Sequence, residues 1–239
     1  MSRRSRRKYF AGIEWGDFEG DRIILPVCPR SQAVNSRNFE ATVMALAERV
    51  NHVHVLLCDT LDRYNLEGTP KAKEVRAHIH GSRWLDLHLP VIEEHIGSFD
   101  VRRWDRVRGD PGFDPRLQLM HRLYAQNADM RRIVDNVASH YLVAKEKRFT
   151  NKGLPFNYEI EKQNSVCYLL EEFAGDAVCN EWFGGLPEAY WGFYVGDPDI
   201  FNRVNTLNRA IDLTIPPTCA VHLNRLSPPL RVEHTPRVA

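Results

Sequence analysis

Two apolar runs bracketing one amphipathic helix constrain this chain more than any other feature. The first is Arg22-Ile23-Ile24-Leu25-Pro26-Val27-Cys28 and the second is Val53-His54-Val55-Leu56-Leu57-Cys58. Neither alternates regularly between polar and apolar residues, as a strand with one wet face would. Runs of this kind suit parallel strands covered on both sides. Between them Phe39, Val43, Leu46 and Val50 recur at helical spacing, with Asn35 or Ser36 as N-cap. Strand, helix and strand make a βαβ unit with a right-handed crossover, so the pattern predicts an α/β domain with a mostly parallel sheet.

Further along, Thr69-Pro70 has the cap and first residue of a helix. Helical patterns follow near 82–96, 115–147 and 157–183, with Phe99-Asp100-Val101 as a short strand. Tyr190-Trp191-Gly192-Phe193-Tyr194-Val195 is aromatic and β-prone. The stretch after Pro216 is proline-rich and reads as irregular. No repeat, linker or composition break divides the chain, and 239 residues with 43% hydrophobic content suffice for a buried sheet. A single domain over 1–239 is expected, with 1–20 and 217–239 peripheral or partly disordered.

Several function classes lose support at this level. The five cysteines are scattered without C-x-x-C spacing, the ten histidines form no H-E-x-x-H helix, and no metal site or disulfide is expected. No apolar run is long enough to span a bilayer, and no h-region follows the basic residues 1–8. A cytoplasmic protein is the expectation. The net charge of +1 conceals local basic clusters. These lie at the N-terminus (Arg3 to Lys8), at Lys71, Lys73 and Arg76, at Arg102, Arg103, Arg106 and Arg108, at Arg131 and Arg132, and at Lys145, Lys147 and Arg148. Each suits either a solvated helix face or phosphate contacts.

In an open α/β sheet, ligands bind beyond the carboxyl ends of the strands. Cys28 and Asp59 fall at two such ends. Neither is followed by G-x-G-x-x-G or G-x-x-x-x-G-K-[ST], so neither a dinucleotide nor a nucleoside triphosphate is indicated.

Over roughly residues 22–205 a series of blocks occurs in a recognisable order. They are Leu25-Pro26-Val27-Cys28 with Asn38-Phe39-Glu40-Ala41-Thr42, then Leu57-Cys58-Asp59-Thr60-Leu61-Asp62-Arg63 and Gly81-Ser82-Arg83-Trp84-Leu85. Arg103-Trp104-Asp105, Leu123-Tyr124 with Asn127, and Tyr168-Leu169-Leu170-Glu171-Glu172 complete the series. In this order the chain resembles the cyclodipeptide synthases, in particular the subfamily with a Tyr-Pro motif on the late strand. The resemblance implies a Rossmann-like three-layer sandwich similar to the catalytic domain of class I tyrosyl- and tryptophanyl-tRNA synthetases. It further implies an aminoacyltransferase without cofactor that joins two aminoacyl-tRNAs into a diketopiperazine through a covalent aminoacyl-enzyme; no partner protein is indicated.

The resemblance also assigns residues. A nucleophile stands at the end of the first predicted strand, where the family carries serine and this chain carries Cys28. Ser31 and Ser36 are the alternatives. A helical Tyr168 and Glu172 would hold the substrate's amino group; their i, i+4 spacing puts both on one helix face. A late tyrosine maps to Tyr194, followed here by Val195 rather than proline, with Tyr190 as the fallback. Pro26, Asn38 and Asp59 are expected to contact substrate. Lys71, Lys73, Arg76, Arg102, Arg103 and Arg106 are expected to contact tRNA. Because cysteine replaces serine, a non-catalytic aminoacyl-tRNA-binding protein of the same fold is the alternative reading. The sequence leaves the amino acids joined open, with Asp59 and Asp197 as candidate acidic wall residues.

Overall fold

The computed structural model describes residues 10–14, 19–30, 36–186, 188–190 and 220–225. Within them one sheet holds β1 (Phe10–Glu14), β2 (Arg22–Val27), β3 (His52–Leu57), β4 (Ser98–Arg103), β5 (Glu188–Tyr190) and β6 (Ala220–Arg225). The strand order is β1-β6-β5-β2-β3-β4, parallel throughout except that β1 runs antiparallel to β6. The predicted first strand is therefore the second in the chain. Both terminal segments, expected to be peripheral, supply strands at one end of the sheet.

Side chains leave β2 alternately, and each set meets its own layer. Leu25 and Val27 join Val53, Val55 and Leu57 of β3 against Phe39, Val43, Trp84 and Ile92. Those four belong to α1 (Ser36–Ala47) and α2 (Pro70–His95). Ile24, Leu56 and Cys58 face the other way, onto Trp104, Phe113, Val134, Leu169 and Phe173. This second layer comprises α3 (Trp104–Arg108), α4 (Phe113–Gln126), α5 (Ala128–Asn151) and α6 (Tyr158–Phe183). The result is a three-layer α/β sandwich. Trp104, Phe39 and Phe173 are among its largest fully buried side chains, each worth about 1.5–3 kcal/mol of hydrophobic stabilisation.

Two helix boundaries differ from expectation. Thr69 caps α2 by accepting a hydrogen bond from the Ala72 amide at 3.3 Å, and the helix then runs unbroken to His95 through Gly81 and Pro90. The pattern over 115–147 is two helices, because Asn127 turns aside and its Oδ1 caps α5 through the Met130 amide at 2.9 Å. Gly81 is required by close approach: a Cβ there would overlap the Asp59 carboxylate and lie 2.8 Å from the Arg103 guanidinium. Gly175 likewise lets α6 settle on Trp104, whose ring would collide with an added Cβ.

From β2 the chain adds β3 and β4 on one side, and β5 and β6 on the other. The order reverses at β2, so the ligand crevice of this sheet opens beyond the carboxyl ends of β2 and β5. Among the described residues, no helix is long and apolar enough to cross a membrane.

Candidate functional site

Cys28 follows the last residue of β2, at that reversal point. The Cys58 amide donates to the Val27 carbonyl at 2.8 Å, which extends the β2–β3 ladder and sets the two cysteines side by side. The hydroxyl of Tyr168, from α6, stands 3.6 Å from Cys28 Sγ. The same hydroxyl donates to Glu172 Oε1 at 3.5 Å, one helical turn on. Three residues expected to act together thus meet at one strand end.

Burial first, then the neighbouring Cys28 and Glu172, push the Tyr168 hydroxyl well above its usual range. Contact with Cys28 and burial do the same to the Cys58 thiol. Both groups therefore keep their protons at neutral pH; the Tyr168 hydroxyl lies within reach of both Glu172 and the Cys28 sulfur, and the Cys58 thiol donates to the Leu56 carbonyl at 3.6 Å. Cys58 figured in the sequence only as a strand end; a one-dimensional reading could not show that parallel register seats it against Cys28.

Adjacent Glu171 and Glu172 point in different directions. Glu171 is 2% exposed at its side chain and fully engaged. It takes a two-pronged ion pair from Arg63, hydrogen bonds from Tyr64 Oη and Trp104 Nε1 at 2.9 Å each, and lies near Arg108. Arg63 and Tyr64 belong to the 3-10 turn Thr60–Asn65, so Glu171 ties the loop after β3 to α6. Next to this brace lies an open cavity of about 460 Å³ lined by Arg63, Tyr64, Glu74, Asp105, Arg108 and Glu171, among others. The sequence blocks contain Arg63, Trp104 and Glu171, but nothing in their order points to this role.

Asp59 lies two residues beyond the end of β3, on the same edge as Cys28, because β2 and β3 are parallel and in register from Arg22–His52 to Val27–Leu57. Its carboxylate is 0% exposed and accepts two bonds from Arg103, at 2.8 Å from Nε and 2.5 Å from Nη2. Burial nevertheless raises its pKa, with Arg103 opposing. Arg103 also donates to Ser82 Oγ and to the His78 carbonyl. It is therefore turned inward and joins strand ends to α2. Arg102 lies over the rings of Trp182 and Phe183, at 5.0 and 4.7 Å, and Arg106 is exposed on α3. Lys71, Lys73 and Arg76 occupy the first turns of α2, immediately after the segment that closes the carboxyl end of β3.

Pro26 lies one pleat before Cys28 on the same sheet face, and Asn38 is in the first turn of α1. Ser36 is the first residue of α1, and Tyr190 the last of β5. Tyr194, Ser31 and Asp197 lie outside the described residues.

A second cavity, about 110 Å³, abuts Tyr168 and is lined also by Asn65, Tyr141, Lys145, Arg148 and Ser165. Burial foremost, with Glu172 and Cys28 adding, pushes the Tyr141 hydroxyl far up. Of the α5 basic cluster, Arg148 and Lys145 line this cavity, and Lys145 is buried there as the ion-pair partner of Glu161.

At the opposite strand ends, His52, His54 and Asp100 converge with ligand-like spacing. His54 Nδ1 lies 2.5 Å and His52 Nε2 3.3 Å from Asp100 Oδ2, while the Arg102 guanidinium is 3.7 Å from Oδ1.

No family model matches the chain, and no curated protein matches its sequence. Solved structures do match. The chain is similar to the CDPS of Fluoribacter dumoffii at 15% identity and a TM-score of 0.71, over 87% of this chain and 92% of that one. It is also similar to a cyclodipeptide synthase from Bacillus thermoamylovorans at 12% identity and TM-score 0.64, over 84% and 86%. A CDPS from Staphylococcus haemolyticus gives 10% identity and TM-score 0.62, over 87% and 92%. The fold is that of the cyclodipeptide synthases. At these identities the likeness concerns the path of the chain, and function rests on the chemistry of the Cys28 site itself.

Proposed function

We propose that this protein is an aminoacyl-tRNA-dependent cyclodipeptide synthase with Cys28 as nucleophile. The observation that carries this reading is the contact of Cys28 with Tyr168, and of Tyr168 with Glu172, at the strand end where the sheet order reverses. A nucleophile beside a proton donor and a carboxylate able to hold an α-ammonium is the equipment that aminoacyl transfer needs. RNA binding alone would have no use for a partly buried Cys-Tyr-Glu set. That weighs against the non-catalytic alternative.

In the proposed reaction the Cys28 thiolate attacks the ester carbonyl of a first aminoacyl-tRNA. The bond to the terminal ribose oxygen breaks, that oxygen leaves with a proton, and a thioester forms. Glu172 holds the α-amino group and accepts its proton, freeing the amine to attack the ester of a second aminoacyl-tRNA, whose ribose oxygen leaves with a proton as the amide bond forms. The resulting dipeptidyl thioester has a new free amine. That amine attacks the thioester carbonyl, closes the diketopiperazine ring and returns the thiol of Cys28. Tyr168, turning its hydroxyl proton from Glu172 to the sulfur 3.6 Å away, stabilises the sulfur anion at the first and last steps. Holding the reactants in this geometry replaces bimolecular encounters by oriented ones.

Two basic surfaces border the site and suit an acceptor stem gripped through phosphates. One is Lys71, Lys73 and Arg76 at the start of α2; the other is Arg148 on α5, beside Tyr168, whereas Lys145 is buried and paired with Glu161. Binding of aminoacyl-tRNA should weaken steeply with salt. Neutralising Lys71, Lys73 and Arg76 together should make the salt dependence shallower, by about one in slope for each phosphate no longer gripped, without lowering the melting temperature. Arg103→Gln should instead destabilise the fold, because it leaves Asp59 buried and unpaired. A triple variant with an unchanged slope would exclude this face as the tRNA surface.

The overall reading is tested by producing the protein in a bacterial host and analysing the medium for diketopiperazines by mass spectrometry. A cyclic dipeptide that disappears with Cys28→Ala is expected. Aminoacyl-tRNA binding with no cyclic product would favour the non-catalytic alternative.

A further inference from the structure

Two acidic side chains, Glu188 and Asp176, stand near one another on the α6 side of the sheet. β5 lies beside β2 with Glu188 in register with Ile24, so the Glu188 side chain leaves the sheet on the α6 face, as Ile24 does. It is 7% exposed, and no hydrogen bond or ion pair reaches its carboxylate among the described residues. Opposite it on α6 is Asp176, whose charged neighbours among the described residues are Glu188 and Glu172. Burial lifts Glu188 to about 7, and burial with those two carboxylates lifts Asp176. Two carboxylates held together without a counter-charge cost stability, and such a feature persists where a ligand supplies the missing charge.

The spacing places this pair within the proposed substrate site. Asp176 lies two helical turns beyond Tyr168, about 12 Å along α6. Ile24, the register partner of Glu188, lies four residues before Cys28, about 13 Å down the strand. The helix and strand run in opposite senses here, so Tyr168 meets Cys28 at the top and Asp176 meets Glu188 at the bottom. Glu172, the proposed amine holder, sits between, about 6 Å above Asp176. An aminoacyl group with its carbonyl at Cys28 and its amine at Glu172 would thus direct a long side chain onto the two lower carboxylates.

We infer that Asp176 and Glu188 form a subsite for a cationic aminoacyl side chain, and that arginyl-tRNA is a substrate. The inference rests on the synthase reading for its frame and, for its chemistry, on a Glu188 without counter-charge among the described residues. Acceptor oxygens arriving from two elements match the planar, five-donor guanidinium better than the compact lysine ammonium. A leucyl or phenylalanyl side chain would leave both carboxylates buried against carbon.

The test presents the full-length protein separately with tRNAs charged with labelled arginine, lysine, leucine and phenylalanine. Label on protein and cyclic product are both measured. Arginyl-tRNA should be used best, giving a cyclic product that contains arginine. Asp176→Asn and Glu188→Gln should each lower its use at least about 30-fold. The two isosteric changes lie on different elements, so misfolding of one leaves the other to decide, with melting temperature as the check. Product formed only from leucyl- or phenylalanyl-tRNA would overturn the subsite and leave the synthase reading intact. If no aminoacyl-tRNA yields product or label, the synthase reading fails. The subsite is then decided by calorimetry with argininamide against leucinamide. Preference for argininamide that Glu188→Gln removes supports it, and equal binding overturns it.

Discussion

Glu172→Gln is expected to cut cyclic dipeptide formation by roughly 10²–10⁴-fold, the span typical of a positioned acid–base group, with a melting temperature close to the parent's. The carboxylate has two tasks in the proposed reaction: fixing the ammonium of the bound aminoacyl group and taking its proton when the amine attacks. Glutamine keeps the shape and loses both. Tyr168 Oη, 3.5 Å away, retains Cys28 as a neighbour, so the packing of α6 need not change. The two aminoacyl transfers should suffer unequally. Acylation of Cys28 needs only orientation, whereas peptide bond formation also needs the base, so labelled aminoacyl-enzyme should accumulate relative to product. A variant with full activity would remove Glu172 from the mechanism.

Glu171→Ala, one residue away, should have the opposite profile. Its carboxylate is the shared acceptor for Arg63, Tyr64 and Trp104 and is almost completely buried. Removing it leaves the Arg63 guanidinium, itself only 15% exposed, without its partner. Breaking one side of a buried ion pair typically costs about 3–5 kcal/mol, a large share of the roughly 5–15 kcal/mol that holds a domain together. Chemical denaturation should read this loss directly. A change under about 1 kcal/mol would mean that the network does not brace the 3-10 turn to α6.

The contrast between these two glutamates marks how far the sequence could be read. The βαβ start was legible because the runs ending at Cys28 and Cys58 are apolar on both faces, and parallel strands require that. The Tyr168–Glu172 spacing was legible because i, i+4 on a helix fixes a shared face without any knowledge of the fold. Glu171 was not, since its partners lie 67, 107 and 108 positions away in sequence. The unbroken α2 was obscured by Gly81 and Pro90, two residues that ordinarily punctuate helices; Gly81 is there because Asp59 and Arg103 crowd against it. The strand end near Asp59 was legible, yet the commitment of Asp59 to Arg103 depends on a strand more than forty residues later. Glu188 carried no signal at all. A single acidic residue between Pro187 and Ala189 reads as surface until β5 is seen beside β2.

Covalent aminoacylation of Cys28 is the claim on which the rest depends. Its test is incubation of the protein with radiolabelled aminoacyl-tRNA, followed by denaturation, hydroxylamine treatment and peptide mapping. A thioester on Cys28 predicts protein-bound label that hydroxylamine releases. It also predicts that label and cyclic product both vanish in Cys28→Ala, and that some of each remains in Cys28→Ser. Label that persists in Cys28→Ala but disappears in Ser31→Ala or Ser36→Ala would contradict the account and move the nucleophile to that serine.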